Sequence, residues 1–427
     1  MRTQEFWILS DDDQRVIDRL AVGLGETSAR VLAYLLLRRE RDEIPNAPAT
    51  QLAVRIGTGM NRKAVADALA RLEERSLASV TTVQNAGRGR PPKAWYASAG
   101  LETIVERVYE HHAEELLERA FDVLDRGAES PESIDESDES TVTVGLNWRP
   151  NGLHVPFYVE NDGKDVEERT VRDLSMGIEH YRGSRQALDA VLSGEADVGV
   201  VGAATVVRAR EAGDPIVPIA VLYQRAMTTL YTTREAFGGP LSSVDQLRGR
   251  RIGTPAGSET DVLGRLFVSQ TAIADTIRFV DTGGEEQRAL LSGTVDVVTG
   301  SFSDPRQLEL RGATVDSILV ADHFPIYGPT LVVEEETLFE RAALLRRFLV
   351  AMMRGWVDAR RSDGAVRAIA AESDESPEEV RRTFEQAIEE FGTTETVRNH
   401  GWGWQRVETW DRLETALRQG GLLDGAA

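Results

Sequence analysis

The stretch that decides the fold is TVTVGLNWRPNGLHVPFY, residues 141–158. Its first four residues alternate β-branched side chains, which is typical of a strand. Glycine and proline then end the pattern, and polar and aromatic side chains crowd into the break. These side chains are Asn147, Trp148, His154, Phe157 and Tyr158. Since ligands of α/β sheets usually bind at the loops that follow the strands, this stretch predicts a small-molecule site.

Strand-like and helix-like segments alternate downstream of this stretch, which predicts an α/β sheet. The apolar run at 197–201 precedes a helical pattern at 203–212. The strand-like RIGTP at 251–255 precedes a second helical pattern at 259–270. The chain is mainly helical from Thr337 to its end.

In these motifs residues 141–427 resemble the type II periplasmic-binding-protein fold. The resemblance is carried by Trp148-Arg-Pro150 with His154 and Tyr158, by ALDAVLSGEADVGVVGAATVV from Ala187, and by RIGTPAGSE from Arg251. The most similar branch contains the thiamine-pyrimidine and alkanesulfonate binders and the fungal-type pyrimidine synthases. The resemblance implies two lobes, with the chain crossing between them near 229–233 and 324–330 and a ligand in the cleft.

Several residues of this domain are candidates for contact with that ligand. Trp148 offers a stacking face for a planar ring, and Asn147 offers a donor and an acceptor. Two predicted helix starts, at 203–204 and 257–260, offer backbone donors to a polar group. The full set is Asn147, Trp148, His154, Tyr158, Ala203, Ala204, Ser258, Glu259, Thr260, Ser301, Asp304 and Tyr327. Each also has a simpler structural interpretation: Trp148 as core, the serines as helix caps, and His154 as a satisfied interior histidine.

Enzymatic chemistry has no obvious site in this domain. The resemblance implies that synthase members carry a lysine and a histidine on the segment that matches DVGVVGAAT, where this chain has Val201 and Thr205. They also carry a cysteine-rich run, and this chain has no cysteine. We therefore expect no catalytic residue, no cofactor and no metal site.

Composition limits the partners and the location. The net charge is −21, and only three of the 49 basic residues are lysines. Abundant carboxylates with almost no lysine resemble proteins of salt-loving archaea; the alternative is an acidic protein with a cationic partner. The sequence has no apolar run of roughly 18 residues that could insert into a membrane. Its start, short and acidic, is unlike a signal peptide, so we expect a cytoplasmic protein.

Residues 1–100 differ in charge from the rest, with 15 basic against 12 acidic side chains. Helical patterns at 14–24, 28–39, 51–56 and 62–75 precede two strand-like segments joined by the basic loop NAGRGRPP, residues 85–92. This order resembles the winged helix-turn-helix DNA-binding domains of archaeal and bacterial regulators, including the multiple-antibiotic-resistance repressors, and RGRPPK resembles an AT-hook. The resemblance predicts an α+β domain that binds double-stranded DNA. The candidate DNA contacts are Asn61, Arg62, Lys63, Arg71, Arg88, Arg90 and Lys93. The simpler interpretation is a solvated helix face and an ordinary basic turn.

The segment between the two domains predicts a connection and a dimer contact. Residues 101–128 form a long helical pattern with an apolar stripe, which we expect to pair with its copy in a homodimer. His111 and His112 are interpreted as a surface pair on this helix. Residues 129–140, ESPESIDESDES, have the composition of an acidic linker.

Taken together, these features favour a ligand-responsive DNA-binding transcriptional regulator that senses a small metabolite, such as a thiamine-pathway pyrimidine. One alternative is the substrate-binding protein of an ABC-type transporter for a thiamine precursor or a sulfonate. A second alternative is an enzyme similar to the pyrimidine synthases.

Overall fold

The structure, a computed structural model, describes residues 7–40, 48–83, 91–123, 141–159, 169–171, 174–373 and 375–423. The expected acidic linker and most of the basic loop, including Arg88 and Arg90, lie outside these ranges. Within them, no helix is long and apolar enough to cross a membrane.

The first part of the chain forms an N-terminal unit of helices and a small sheet. Its elements are α1 (Gln14–Leu24), α2 (Glu26–Glu40), β1 (Ala49–Thr50), α3 (Gln51–Thr58), α4 (Arg62–Glu74), β2 (Ala78–Thr82), β3 (Lys93–Ala97) and α5 (Leu101–Val123). The side chains of Thr50 and Asn61 accept hydrogen bonds from the first turns of α3 and α4 and fix where these helices begin. The three strands pair antiparallel in the order β1-β3-β2.

Helix α5 packs against other elements of the same chain. Its apolar stripe was expected to form a dimer contact instead. Val108 and Leu116 are fully buried, and the helix lies against α13 and β8 of the same chain. His112, expected on the surface, is also fully buried, and its Nε2 donates to the carbonyl oxygen of Trp402 over 2.7 Å. The stripe that was predicted to meet a second copy is therefore covered by the protein's own core.

The second part of the chain forms two lobes, each built on a sheet. Lobe one holds a six-stranded sheet of order β5-β6-β4-β7-β14-β8. Its strands and helices are β4 (Thr141–Leu146), β5 (Arg169–Val171), β6 (Leu174–His180), α6 (Ser184–Leu192), β7 (Val198–Gly202), α7 (Ala203–Glu211), β8 (Ile216–Val221) and β14 (Pro329–Glu334). Strands β6, β4, β7 and β8 run in one direction, and β14 runs antiparallel to its neighbours β7 and β8.

Lobe two is a five-stranded sheet of order β11-β10-β12-β9-β13. Its elements are β9 (Thr228–Thr233), α8 (Arg234–Phe237), β10 (Arg251–Thr254), α9 (Glu259–Ser269), β11 (Arg278–Asp281), α10 (Glu286–Leu291), β12 (Val297–Ser301), α11 (Asp304–Leu310) and β13 (Val315–Leu319). The chain enters this lobe between β8 and β9 and leaves it between β13 and β14. These two crossings confirm the predicted two-lobed α/β arrangement.

A C-terminal set of helices then covers the back of lobe one. They are α12 (Glu335–Glu340), α13 (Ala342–Asp358), α14 (Asp363–Glu372), α15 (Pro377–Ala387), α16 (Glu395–His400) and α17 (Val407–Gln419). Short 3-10 turns occur at 11–13, 152–158, 244–247, 274–276, 320–322 and 359–361, and residues 388–392 form a π-helical turn.

The N-terminal unit and lobe one share one hydrophobic core. Its buried side chains run continuously from α1, α2 and α5 through α13 to β4 and β14. The segment from α16 to Trp402 lies between them: the Trp402 amide donates to Val22 in α1, and the Val221 amide donates to Gly403. Two ion pairs, Arg346–Glu114 and Arg354–Glu106, cross the same boundary. We therefore expect the unit and the lobe to unfold together.

This shared core can be tested with Leu116→Ala. Leu116 lies fully buried in α5, so its truncation should lower the free energy of unfolding by about 2–5 kcal/mol, through lost burial and the cavity left behind. Urea titrations followed by hydrogen exchange of peptides from α2 and β14 should show both regions losing protection at one shifted midpoint. Leu291→Ala, at a position 58% exposed in lobe two, is the control and should change little. Separate midpoints for α2 and β14 would contradict a common core.

Candidate functional site

The carboxyl ends of parallel strands in both lobes meet at the cleft between them. From lobe one come the loop after β4, with Asn147 and Trp148, and the start of α7 after β7. From lobe two come the start of α9 after β10 and the loop after β12, with Ser301 and Asp304. This edge is where an α/β sheet presents backbone donors and loop side chains to a ligand.

The loop after β4 presents one large aromatic face to solvent. Trp148 is 56% exposed, the only tryptophan among the large hydrophobic side chains that are exposed in the described residues. Asn147 beside it is held by its amide, which donates to Ser184 Oγ over 3.4 Å. Ser184 Oγ also accepts from the Gly202 amide over 3.0 Å, so the loop is tied to the end of β7. The structure thus keeps Trp148 available for stacking on a planar ring.

Glu259, on the first turn of α9, joins the two lobes. Its Oε1 accepts from the Ala204 amide over 2.9 Å, and its Oε2 accepts from the Thr205 amide over 2.9 Å and from Thr205 Oγ1 over 2.7 Å. These donors belong to the first turn of α7, where helix amides have no partner within the helix. Burial raises the pKa of the Glu259 carboxyl, and these three hydrogen bonds partly offset the rise.

Ser258 serves chiefly to start α9. Its Oγ accepts from the Asp261 amide over 3.1 Å, and Thr260 Oγ1 lies 3.1 Å from the same oxygen. The structure therefore shows Ser258 as a helix cap, the simpler of the two interpretations. The cap matters to the site because it fixes the backbone from which Glu259 reaches lobe one.

The loop after β12 adds a second carboxylate at the cleft. Asp304 accepts from the Ser301 amide over 2.7 Å, and burial, with Glu286 nearby, raises the pKa of Asp304 to about 6. Burial raises the pKa of Glu375, in the turn between α14 and α15, and repulsion from Glu379 and, less strongly, from Asp304 adds to this rise. Phe302 packs on Phe391 with ring centroids 4.8 Å apart, so the two sides touch here.

Three predicted ligand contacts with aromatic side chains are buried instead, and so are Ala203 and Ala204. His154 and Tyr158 are 2% and 1% exposed within a 3-10 turn packed under α13–α15, which leaves them no surface for a ligand in this conformation. Burial, with His180 nearby, lowers the pKa of His154 to about 3, so the ring is neutral. Tyr158 donates to Glu372 over 2.9 Å. Tyr327 accepts from the Arg406 amide over 2.9 Å and packs edge-on against Trp410, so it anchors the C-terminal segment.

The candidate DNA contacts that the structure describes are spread over the N-terminal unit. Asn61 caps α4, and Arg62, Lys63 and Lys93 are exposed. Arg71 is exposed but lines a small cavity with Asn399, His400 and Trp404, on the side that faces the rest of the chain.

Sequence reasoning missed the residues that hold the cleft together: Ser184, Gly202 and Thr205. Gly202 has an ordinary extended backbone, with φ −67°, so its conformation does not require glycine. A Cβ at this position would lie 2.2 Å from Cδ of Glu259, so the glycine provides room for that side chain. The only signal in the sequence was the pair of predicted helix starts, which did not reveal that one would be capped from the other lobe.

Comparison with known proteins identifies this architecture. The riboflavin-binding protein RibY of Chloroflexus aurantiacus is 26% identical over 291 residues, covering 66% of this chain and 81% of that protein. The periplasmic aliphatic sulphonate binding protein SsuA of Escherichia coli superposes with a TM-score of 0.51 at 14% identity, over 67% of this chain and 94% of that one. The ligand-binding component of an ABC-type import system from Staphylococcus aureus gives a TM-score of 0.50 at 12% identity, over 68% and 94%.

The two lobes therefore form a periplasmic-binding-protein-like fold, as the resemblance implied. Within it, residues 170–363 match the family model described as NMT1/THI5 like. The relatives are binding proteins rather than enzymes.

The expected function as a ligand-responsive DNA-binding regulator is wrong. The relatives are named as binding proteins for riboflavin and sulphonate and as part of an ABC-type import system, which favours the alternative of a transporter's substrate-binding protein. The order of helices and strands at the N-terminus was specific to a local fold. It carried no information about what the larger two-lobed domain does.

The carboxyl of Asp304 gives the stability of the protein a testable pH dependence. Its pKa is about 6 in the folded protein against 3.8 for an ordinary Asp. The folded state therefore binds the proton more tightly, and this contribution to stability is full below about pH 4 and is lost as the pH rises to about 6. Asp304→Asn keeps an acceptor for Ser301 and should remove this decline.

Unfolding free energies from urea titrations at pH 4, 5, 6 and 7 measure the difference between variant and wild type. The variant should gain stability relative to wild type as the pH rises from 4 to 6, and the exposed Asp275→Asn should not. A constant difference across this range would show that Asp304 titrates as an ordinary carboxyl.

Proposed function

We propose that this chain is the solute-binding component of an ABC-type uptake system, and that it holds a small planar nitrogen-containing solute between its two lobes. The observation that carries the proposal is the cleft itself. Two lobes joined by two crossings meet there through loops at the carboxyl ends of parallel strands, and polar groups from both sides face one another. Such a cleft closes around a solute by hinge motion at the crossings.

The exposed ring of Trp148 supports the class of solute. The exposed indole of Trp148 leaves apolar surface in contact with water, which is unfavourable. A planar ligand that stacks on the ring would bury this surface. The similarity to the riboflavin-binding RibY and the NMT1/THI5-like segment both favour a heterocycle, with a flavin or a thiamine-pathway pyrimidine as the first compounds to try.

We also propose a winged-helix architecture for the N-terminal unit. The order helix, strand, two helices and hairpin supports it, as does the sheet order β1-β3-β2. Because this unit packs on lobe one, we propose that its role is to stabilise the solute-binding domain. The homodimer, the haloarchaeal origin and the cytoplasmic location stay predictions.

The binding proposal is tested by thermal unfolding of the intact protein with riboflavin or an aminopyrimidine thiamine precursor. A solute at 100 times its Kd should stabilise the folded state by about 2.7 kcal/mol, which raises Tm measurably. Trp148→Ala should weaken the affinity about 3- to 10-fold, because it removes an aromatic stacking contact. Tyr96→Ala, which removes a 44% exposed ring from the N-terminal unit, should leave affinity unchanged.

Two results would count against the proposal. If no heterocycle shifts Tm, the cleft is not a site for this class of solute. If a solute binds equally well to wild type and Trp148→Ala, the site does not use the stacking face at the cleft.

A further inference from the structure

We infer that Glu259 closes the start of α7 to anionic ligand groups, so that the cleft selects a neutral or cationic solute rich in hydrogen-bond donors over a sulfonate. The inference rests on the proposed solute-binding function, and it makes Glu259 a residue that determines specificity.

The backbone amides that would hold an anion are already in use. The first turn of a helix offers unpaired N–H groups and a partial positive charge, which suit a sulfonate, a phosphate or a carboxylate. In α7 the amides of Ala204 and Thr205 and the Thr205 hydroxyl all donate to the Glu259 carboxylate, at 2.7–2.9 Å. A ligand's anionic group would have to displace this carboxylate and would then lie beside its negative charge.

The carboxylate is held in this position from both sides. Its own backbone begins α9, where the Ser258 cap fixes the direction of the side chain. On the other side, Gly202 leaves open the space where a Cβ would lie 2.2–2.6 Å from the Glu259 side chain. Because the backbone of Glu259 is fixed and its carboxylate fits against Gly202, the side chain loses little further conformational entropy when it forms these hydrogen bonds. This favours the hydrogen-bonded carboxylate over a free one.

Two further carboxylates lie near each other at this cleft. Asp304 and Glu375 approach each other from opposite sides, and Glu375 Oε2 is buried with no hydrogen-bond partner among the described residues. Arg208 lies close enough to act against the rise in the pKa of Glu259, but burial outweighs it. Buried carboxylates with spare acceptor capacity repel anions and accept hydrogen bonds from amino, imino or hydroxyl groups.

The test is a gain of function. Ethanesulfonate is titrated by calorimetry against the intact wild type and the Glu259→Ala protein, both checked for folding by circular dichroism. Wild type should show weak or no binding, and Glu259→Ala should bind at least 10-fold more tightly because the α7 amides become free. Gly202→Ala should also free the α7 amides, because its methyl group would clash with the Glu259 side chain and displace the carboxylate. This variant should therefore bind ethanesulfonate more tightly too.

The matched control is Glu285→Ala, which removes an exposed carboxylate at the start of α10 in the same lobe and should gain nothing. Ethanesulfonate that binds wild type as tightly as the variants would overturn the inference, and so would two folded variants that gain no binding. Failure of the proposed function is distinct: no heterocycle would bind the wild type, whatever the sulfonate does with the variants.

Discussion

The contact on which the cleft depends is the bridge from Glu259 to the first turn of α7. Three hydrogen bonds, donated by the first turn of α7 to the Glu259 carboxylate in a partly buried setting, hold one lobe against the other. The bridge needs a cap at Ser258 to aim the side chain and a glycine at 202 to receive it. Residues far apart in the chain are thus combined into one interaction between the lobes.

The N-terminal unit has a different relation to the site. Its helices are part of the core of lobe one, and residues 399–405 connect the two by hydrogen bonds on both sides: the Trp402 amide to Val22, and Gln405 Nε2 to the Pro218 carbonyl over 2.7 Å. Since Pro218 lies in β8, directly before the first crossing, the unit supports the strand that leads into the hinge. The N-terminal unit therefore stabilises lobe one at the strand that precedes the crossing.

Local pattern located several elements of the two lobes, among them β4, β7, α7, β10 and α9, because strand and helix periods and capping residues act over a few positions. It did not identify β5, β6 or β13, and the residues predicted for the first crossing, 229–233, form β9. It was not enough for the roles of side chains. His154 and Tyr158 follow a strand, as ligand contacts do, yet helices from more than 180 residues downstream bury them. The apolar stripe on α5 is a second example. Its sequence indicates that this face must be buried, but it does not indicate which part of the protein buries it. The prediction of a DNA-binding regulator was wrong for a further reason. A helix-turn-helix pattern indicates a fold, and the relatives of the larger domain are solute-binding proteins.

The most direct measurement is the distance between the lobes in the ligand-free protein. The chain has no cysteine, so Ser193→Cys and Ser292→Cys place one spin label on an exposed site of each lobe without a competing thiol. Pulsed dipolar spectroscopy should give one narrow distance distribution in this background, and adding Glu259→Ala should broaden it toward longer distances as the lobes separate. Identical distributions with and without the carboxylate would contradict the account, because the bridge would then not hold the lobes together.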